Sequence, residues 1–201
     1  MTETASLSEL ETRLSRLPAD KRAALLAAVL ALFAEQAERL KPSQVKIFDR
    51  LFKQLALGLD AEEVAGFSRR IAGMASAPPG ITEYLARHDD ITIAEPVLMR
   101  SACVAASTLV EIARTIRQTH LLAIACRPKL DSGLVDILVA RGDDVVARYV
   151  TNNRGAQISE TSAVALAERA KNDDAVAELL GKRSDIPPHL RAVVADAAAT
   201  F

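Results

Sequence analysis

The feature that most constrains the fold of this chain is a short repeat in its second half. Its four anchor residues are spaced 29, 24 and 30 positions apart: Ile93, Leu122, Val146 and Val176. Each anchor is followed by an alanine, at Ala94, Ala123, Ala147 and Ala177. Four positions after each anchor stands another apolar residue: Val97, Cys126, Val150 and Leu180. Repeats of this length are typical of stacked supersecondary units.

Two residues of the types that cap helices stand before each anchor. Three positions before the anchors stand Asp90, Thr119, Asp143 and Asp173. Fifteen to seventeen positions before them stand Ser76, Ser107, Asp131 and Ser159. Because such side chains accept hydrogen bonds from the first free amides of a helix, each unit is predicted to hold two capped helices, A and B. The alanines would let neighbouring B helices pack closely.

The residues before about position 75 predict four helices of a different kind. Capping boxes stand at Ser6-x-x-Glu9 and Asp60-x-x-Glu63, and Pro18 and Pro42 are placed to begin helices. The second helix, from Pro18 to about Leu40, is apolar around much of its circumference, which predicts a central position. We therefore expect an N-terminal helical segment over 1–75 and a repeat domain over 76–201, packed as one continuous body. A last A helix is expected from about Ser184 to Ala199.

Composition favours some functional classes over others. The chain has 25 basic and 26 acidic residues and only 3% aromatic residues, which argues against a nucleic-acid-binding surface. The longest apolar run, Ala23 to Phe33, is too short to span a bilayer. Cys103 and Cys126 lie in apolar stretches and are interpreted as reduced core residues. A cytoplasmic protein without a membrane span is expected.

No motif of the sequence predicts catalysis. His88, His120 and His189 form no pair of histidines at helical metal-site spacing, and no nucleophile elbow or glycine-rich phosphate loop is present. We therefore expect no cofactor, no metal and no catalytic residue. The expectation leans away from an enzyme.

A row of mostly basic residues lies seven positions after the anchors: Arg100, Lys129, Asn153 and Arg183. If the units stack in register, this row forms a rim that could bind an acidic partner. Alternatively, each member offsets the negative end of its own B helix. Both interpretations remain open from the sequence.

Several of these segments resemble a known family. They are Leu85–Asp90, Ala94–Leu98, Ala123–Arg127, Gly142-Asp143, Asn153–Ala156, Ile158-Ser159 and Asp185–Pro188. They are similar to an uncharacterised bacterial family with HEAT-like repeats, domain of unknown function 2336. The resemblance covers roughly residues 85–190. It implies a HEAT-like array of helices. With the helices predicted before it, the expected fold is all-α: an N-terminal helical bundle followed by a right-handed α-solenoid of short helical hairpins. The resemblance implies no activity.

The leading functional hypothesis is a non-catalytic protein-interaction or scaffold module, whose partner is another protein bound on a concave face of B helices. One alternative is a HEAT-like protein that binds nucleic acid. Another is a small-ligand sensor or enzyme with a site between the N-terminal helices and the repeats. The identity of the partner and the oligomeric state are left open.

Overall fold

The structure, a computed structural model, describes residue 9 and residues 12–186 of the 201-residue chain. It divides into two compact units, Met1–Val104 and Ala105–Phe201. The boundary expected near residue 75 stays a prediction from the sequence. The capping box at Ser6 and the last A helix fall mostly outside the described residues.

Unit 1 contains five α-helices among its described residues beyond position 18. These are α1 (Ala19–Gln36, followed by a 3₁₀-helix at Ala37–Arg39), α2 (Pro42–Ala56), α3 (Ala61–Ala72), α4 (Pro79–Ala86) and α5 (Ile91–Arg100). Unit 2 contains six: α6 (Ala106–Thr115), α7 (Gln118–Ala125), α8 (Ser132–Arg141), α9 (Asp144–Asn152), α10 (Glu160–Ala170) and α11 (Asp174–Gly181). The predicted all-α class is confirmed for the described residues, in which extended pairing is limited to an isolated β-bridge between Leu130 and Ala156.

An aromatic cluster forms part of the core of unit 1. The ring centroid of Phe33 on α1 lies 5.1 Å from that of Phe48 and 5.8 Å from that of Phe52, in edge-to-face geometry. Phe52 on α2 lies 5.4 Å from Phe67 on α3. Such pairs stabilise a core beyond the area they bury. Phe52 and Leu55 of α2 are fully buried in this core.

Helix ends in unit 1 are closed by side chains. The predicted box at Asp60 is confirmed, because Glu63 N donates to Asp60 Oδ1 at 2.8 Å and Asp60 N donates to Glu63 Oε2 at 3.4 Å. Helix α4 has no cap of its own, since its N-cap is Pro78. Asp49 of α2 takes that role by accepting hydrogen bonds from Gly80 N at 3.1 Å and Ile81 N at 2.6 Å.

One arginine fixes the N-terminal end of α1. Arg22 donates through Nε to Leu17 O at 3.1 Å, and its other nitrogens donate to Ser15 O and Leu57 O. Gly58 follows the end of α2 with φ of +82°, and a Cβ there would lie 2.5 Å from Arg22 Nη1. The left-handed backbone requires glycine here, and the absence of a side chain leaves room for the guanidinium.

The prediction that α1 is central is wrong. Only Leu26, Leu30 and Phe33 of this helix are buried, while its opposite side is open and Leu32 is 46% exposed. The apolar composition comes largely from alanines, whose exposure costs little because each has a small apolar area. Helix α1 is therefore apolar on most sides but buried on only one.

Unit 2 consists of two layers of helices. The A helices α6, α8 and α10 pack in that order, and so do the B helices α7, α9 and α11. Each B helix also packs on the A helix that precedes it in the chain. The middle helices α8 and α9 are therefore each covered on two sides by helices of their own layer.

The structure agrees with most, but not all, of the expected caps. The side chains of Asp90, Asp143, Asp173, Asp131 and Ser159 accept hydrogen bonds from the first turns of α5, α9, α11, α8 and α10. Thr119, Ser107 and Ser76 are not N-caps. Thr119 and Ser107 each lie at the second residue of a helix. Helix α4 begins beyond Ser76, where Pro79 supplies a helical φ and Asp49 supplies the acceptor.

The repeat register is confirmed for three anchors and needs correction for α7. Ile93, Val146 and Val176 are buried, and Ala147 is fully buried, as expected. Leu122 is only half-buried. Because α7 begins at Gln118, the residue that matches Val146 is His120, which is 1% exposed. The sequence pattern placed the anchor two residues too late because the true anchor is polar.

Residues 153–157 join neighbouring repeats of unit 2. Leu130 N donates to Gly155 O at 3.1 Å, and Gln157 N donates to Leu130 O at 3.0 Å. This pairing brings the two loops so close that a Cβ on Gly155 would lie 1.9 Å from Pro128 O. Gly155 is therefore required by a close backbone approach.

We expect Gly155→Ala to destabilise the protein by at least about 1–3 kcal/mol, the usual cost of overpacking, because the methyl group meets backbone that cannot rotate away. The matched control is Gly181→Ala, since a Cβ at that helical position meets nothing within 4 Å. The control should leave stability unchanged or raise it by up to about 1 kcal/mol. Urea denaturation of both variants is the measurement; equal midpoints would contradict the close approach of the loops.

Candidate interaction surface

The four residues of the expected rim differ in their exposure. Arg100 is exposed at the end of α5 in unit 1, and Lys129 is exposed in the loop between α7 and α8 of unit 2. Asn153 is half-buried and Arg183 is only 4% exposed. Arg183 is therefore not available to an external partner.

The buried guanidinium of Arg183 caps the helix that precedes it in the B layer. Its Nη1 donates to Thr151 O at 3.1 Å and to Asn153 O at 2.7 Å, and its Nη2 donates to Ala156 O at 2.8 Å. Asp185 receives the remaining donors at 2.9 and 2.6 Å. These bonds satisfy carbonyls at and beyond the end of α9 that have no partner within the helix.

Asn153 makes the equivalent contact one repeat earlier. Its Nδ2 donates to Ala125 O at 3.0 Å and to Arg127 O at 2.7 Å, where α7 ends. Its Oδ1 accepts a hydrogen bond from Gly155 N at 2.9 Å, which shapes the loop after α9. Both residues thus act on the preceding helix, and not on their own helix as one interpretation of the sequence held.

In the A layer too, side chains of one repeat cap the end of the preceding helix, and the sequence did not lead us to predict these contacts. Arg169 Nη2 donates to Val139 O at 2.9 Å and to Gly142 O at 2.7 Å, at the end of α8. Arg141 donates to Ile116 O at 3.3 Å and to Ala113 O, at the end of α6. The signal was present: Arg141, Asn153, Arg169 and Arg183 each stand ten positions after the N-cap of their own helix.

Counting ten positions from each N-cap also changes the membership of the row. The N-cap of α7 is Arg117, so the equivalent residue is Arg127 and not Lys129. Arg127 is half-buried, and burial lowers the pKa of its guanidinium. Within the corrected row, Asn153 and Arg183 are structural residues that link repeats, and Lys129 is a surface residue outside the row.

Replacing Arg183 is expected to cost stability. Arg183→Met keeps the aliphatic stem but leaves the buried carbonyls of Thr151 and Ala156 without their donors. Because each unpaired buried acceptor costs about 1–3 kcal/mol, the loss should be at least about 2 kcal/mol. Lys129→Met is the matched control and should change stability by no more than about 0.5 kcal/mol. Thermal denaturation of the two variants is the measurement. The capping role would be contradicted if both variants lost the same stability, or if Arg183→Met lost none.

An ion pair connects α9 to the start of α11. Arg148 Nε lies 2.9 Å from Asp173 Oδ2, and Asp173 Oδ1 accepts hydrogen bonds from the amides of Ala175 and Val176 at 3.1 and 3.2 Å. Burial opposes ionisation of this carboxyl, but the hydrogen bonds from Arg148 and the two amides outweigh burial and lower the pKa of Asp173.

This lowered pKa predicts a pH dependence of stability. A carboxyl that is more acidic in the folded state stabilises the fold above its ordinary pKa, and that contribution is lost as the pH falls through the folded-state pKa. Asp173→Asn keeps an N-cap residue but removes the charge. At neutral pH the variant should be less stable than the wild type, and the difference should shrink below the ordinary value of 3.8. Urea midpoints of both proteins from pH 7 to 3 test this; a constant difference would contradict it.

The exposed side of the B layer carries the strongest candidate surface for a partner. Val145 and Tyr149 lie one turn apart on α9 and are 45% and 50% exposed. The side chain of Arg148 beside them is 48% exposed. Leu122 on α7 and Leu179 on α11 are half-buried. We call Val145, Arg148 and Tyr149 the α9 patch. Its position on the middle helix of the layer places helices on both sides of it.

Among its described residues, unit 1 has clefts beside α1 but no group of metal ligands. One cleft of about 280 Å³ is lined mainly by apolar residues of α1 and α3, with Glu63 and Arg70 among them. The other, of about 440 Å³, lies beside the end of α1 and residues 74–76. Among the described residues, no three His, Cys, Asp or Glu side chains lie close enough to hold a metal ion.

The histidines and cysteines have separate surroundings. His88 Nδ1 accepts a hydrogen bond from Asp90 N at 3.1 Å, and His120 is buried in α7; His189 lies outside the described residues. Cys103 and Cys126 are free and half-buried, so they are not the core residues that we expected. No helix within residues 12–186 combines the length and apolarity needed to cross a bilayer.

Comparison with known proteins supports the resemblance seen in the sequence. The sequence profile of a bacterial family, described as an uncharacterised protein conserved in bacteria, matches residues 93–199. No curated protein and no solved structure shows a significant match. The matched segment is more than half of the chain and includes the loop at residues 153–157 and the capping residues Asn153 and Arg183. The chain belongs to this uncharacterised bacterial family, domain of unknown function 2336.

Proposed function

We propose that unit 2 is a HEAT-like helical array that binds a protein partner on its B layer. The observation that carries the proposal is the pair Val145 and Tyr149, which lie exposed on the middle B helix. Large apolar side chains exposed together on one helix are typical of interaction sites when they form a patch bordered by polar groups.

The chemistry of the α9 patch fits a protein partner. Tyrosine and arginine are enriched among residues that dominate the energy of protein interfaces, and both stand here beside a valine. We infer that Asp144 on α9, Glu178 on α11 and Lys182 directly after α11, which are exposed and of mixed charge, form a polar border of the patch. A phosphate backbone would require a surplus of positive charge, which this border lacks.

Ordered packing of both layers supports the HEAT-like interpretation. A helices pack on A helices and B helices pack on B helices. In the B layer, Asn153 and Arg183 each link the end of one repeat to the end of the preceding repeat. An array of this kind offers an extended surface that is held rigid by its neighbours, which lowers the entropy lost on binding. A cytoplasmic location remains a prediction from the sequence.

The experiment is affinity capture from bacterial lysate with the full chain, followed by quantitative mass spectrometry. Val145→Ser with Tyr149→Ser should remove the specific partner, because truncating residues that dominate an interface costs about 2 kcal/mol or more, roughly 30-fold in affinity. The matched control is Val164→Ser, a residue equally exposed at 45% but located on α10 of the A layer.

Thermal denaturation must show that both variants fold like the wild type. The proposal is supported if a protein is captured by the wild type and the control but not by the double variant. It is contradicted if all three proteins capture the same set of partners.

A further inference from the structure

The outer face of α1 is an apolar surface whose residues are largely exposed. At 100° per residue, the side opposite Leu26, Leu30 and Phe33 carries Ala24, Leu25, Ala28, Ala31 and Leu32. All of these are exposed except Leu25, which is half-buried. We call these five residues the α1 face. Lys21 lies at the N-terminal end of the α1 face and Glu35 lies at its C-terminal end, and both are exposed.

The spacing of these residues fits a helical seam. Lys21, Ala28 and Glu35 are seven positions apart, and Ala24 and Ala31 fall between them, so the face follows a heptad pattern. Lys21 and Glu35 are separated by fourteen positions, or about 21 Å along the helix axis. A seam of this length, with alanines at its centre, allows a second helix to approach closely.

The face is complementary to itself in one orientation. If a second copy of α1 lies antiparallel with Ala28 on the two-fold axis, Lys21 of one copy meets Glu35 of the other, twice. In the same register, Leu32 meets Ala24 and Leu25 meets Ala31, so that each large side chain faces a small one. A parallel pair would instead place Lys21 against Lys21 and Glu35 against Glu35, which is unfavourable.

We propose that the chain forms a two-fold symmetric homodimer through the α1 face, with its two α1 helices antiparallel. Both the charges and the side-chain sizes are matched about Ala28, as an isologous interface requires. A seam of two helices is at the small end of specific interfaces, so dissociation in the micromolar range is expected. The dimer concerns unit 1 and is independent of the function proposed for unit 2.

Sedimentation equilibrium of the full chain, from low micromolar to millimolar concentration, tests the dimer. Ala28→Glu should weaken association by about tenfold or more, because it places two like charges on the axis. Val164→Glu, at a residue of unit 2 exposed to the same degree as Leu32, should leave association unchanged. A wild-type protein that stays monomeric, or an Ala28→Glu variant that associates normally, would overturn the proposal.

Charge exchange tests the antiparallel register. Lys21→Glu and Glu35→Lys should each weaken the dimer by about threefold or more, since each converts two attractive pairs into repulsive ones. The double variant Lys21→Glu with Glu35→Lys restores both pairs in the antiparallel dimer and should return to near wild-type affinity. If the double variant is as weak as the single variants or weaker, the antiparallel register is wrong.

Discussion

The packing of unit 2 depends on how the carbonyl ends of its helices are satisfied. Helices of one layer have their C-terminal ends side by side, so their unpaired carbonyls and the negative ends of their dipoles gather in one region. An arginine or asparagine from the next repeat is inserted at the ends of α6, α7, α8 and α9; these residues are Arg141, Asn153, Arg169 and Arg183. The same hydrogen bonds therefore end one helix and fix the position of its neighbour.

The loop at residues 153–157 makes this arrangement continuous. Asn153 reaches back to the end of α7, while Arg154 Nη1 reaches forward to Lys182 O at 3.0 Å. Gly155 allows the bridge to Leu130, and Ala156 O receives Arg183 from the following repeat. Four consecutive residues thus contact the repeats on both sides. These contacts give this short segment, which is among those that resemble the family, a role in packing the repeats.

The sequence predicted the fold correctly where a residue type has few alternative structural roles at its position, and it failed where a residue type has several. Asp131, Asp143 and Asp173 were predicted as caps because a short carboxylate before an apolar run has few other roles. Helix α7 was misplaced because its N-cap is Arg117 and its buried anchor is His120, so neither the polar nor the apolar pattern marked its register. Only the contacts with neighbouring repeats determine where this helix starts.

Neither the charge nor the apolarity of a residue was sufficient to predict whether its side chain is buried. Arg183 was read as a possible rim residue because an arginine near a helix end can face water or neighbouring carbonyls, and the choice depends on the adjacent repeat. Helix α1 was predicted to be central because its alanines were counted with its leucines, although alanine is tolerated at the surface. The α9 patch could not be found from the sequence, since Val145 and Val146 are alike in composition and differ only in the side of α9 that they occupy. What distinguishes a site from the core in this chain is therefore the register of short helices, and that register is set by the hydrogen bonds between repeats.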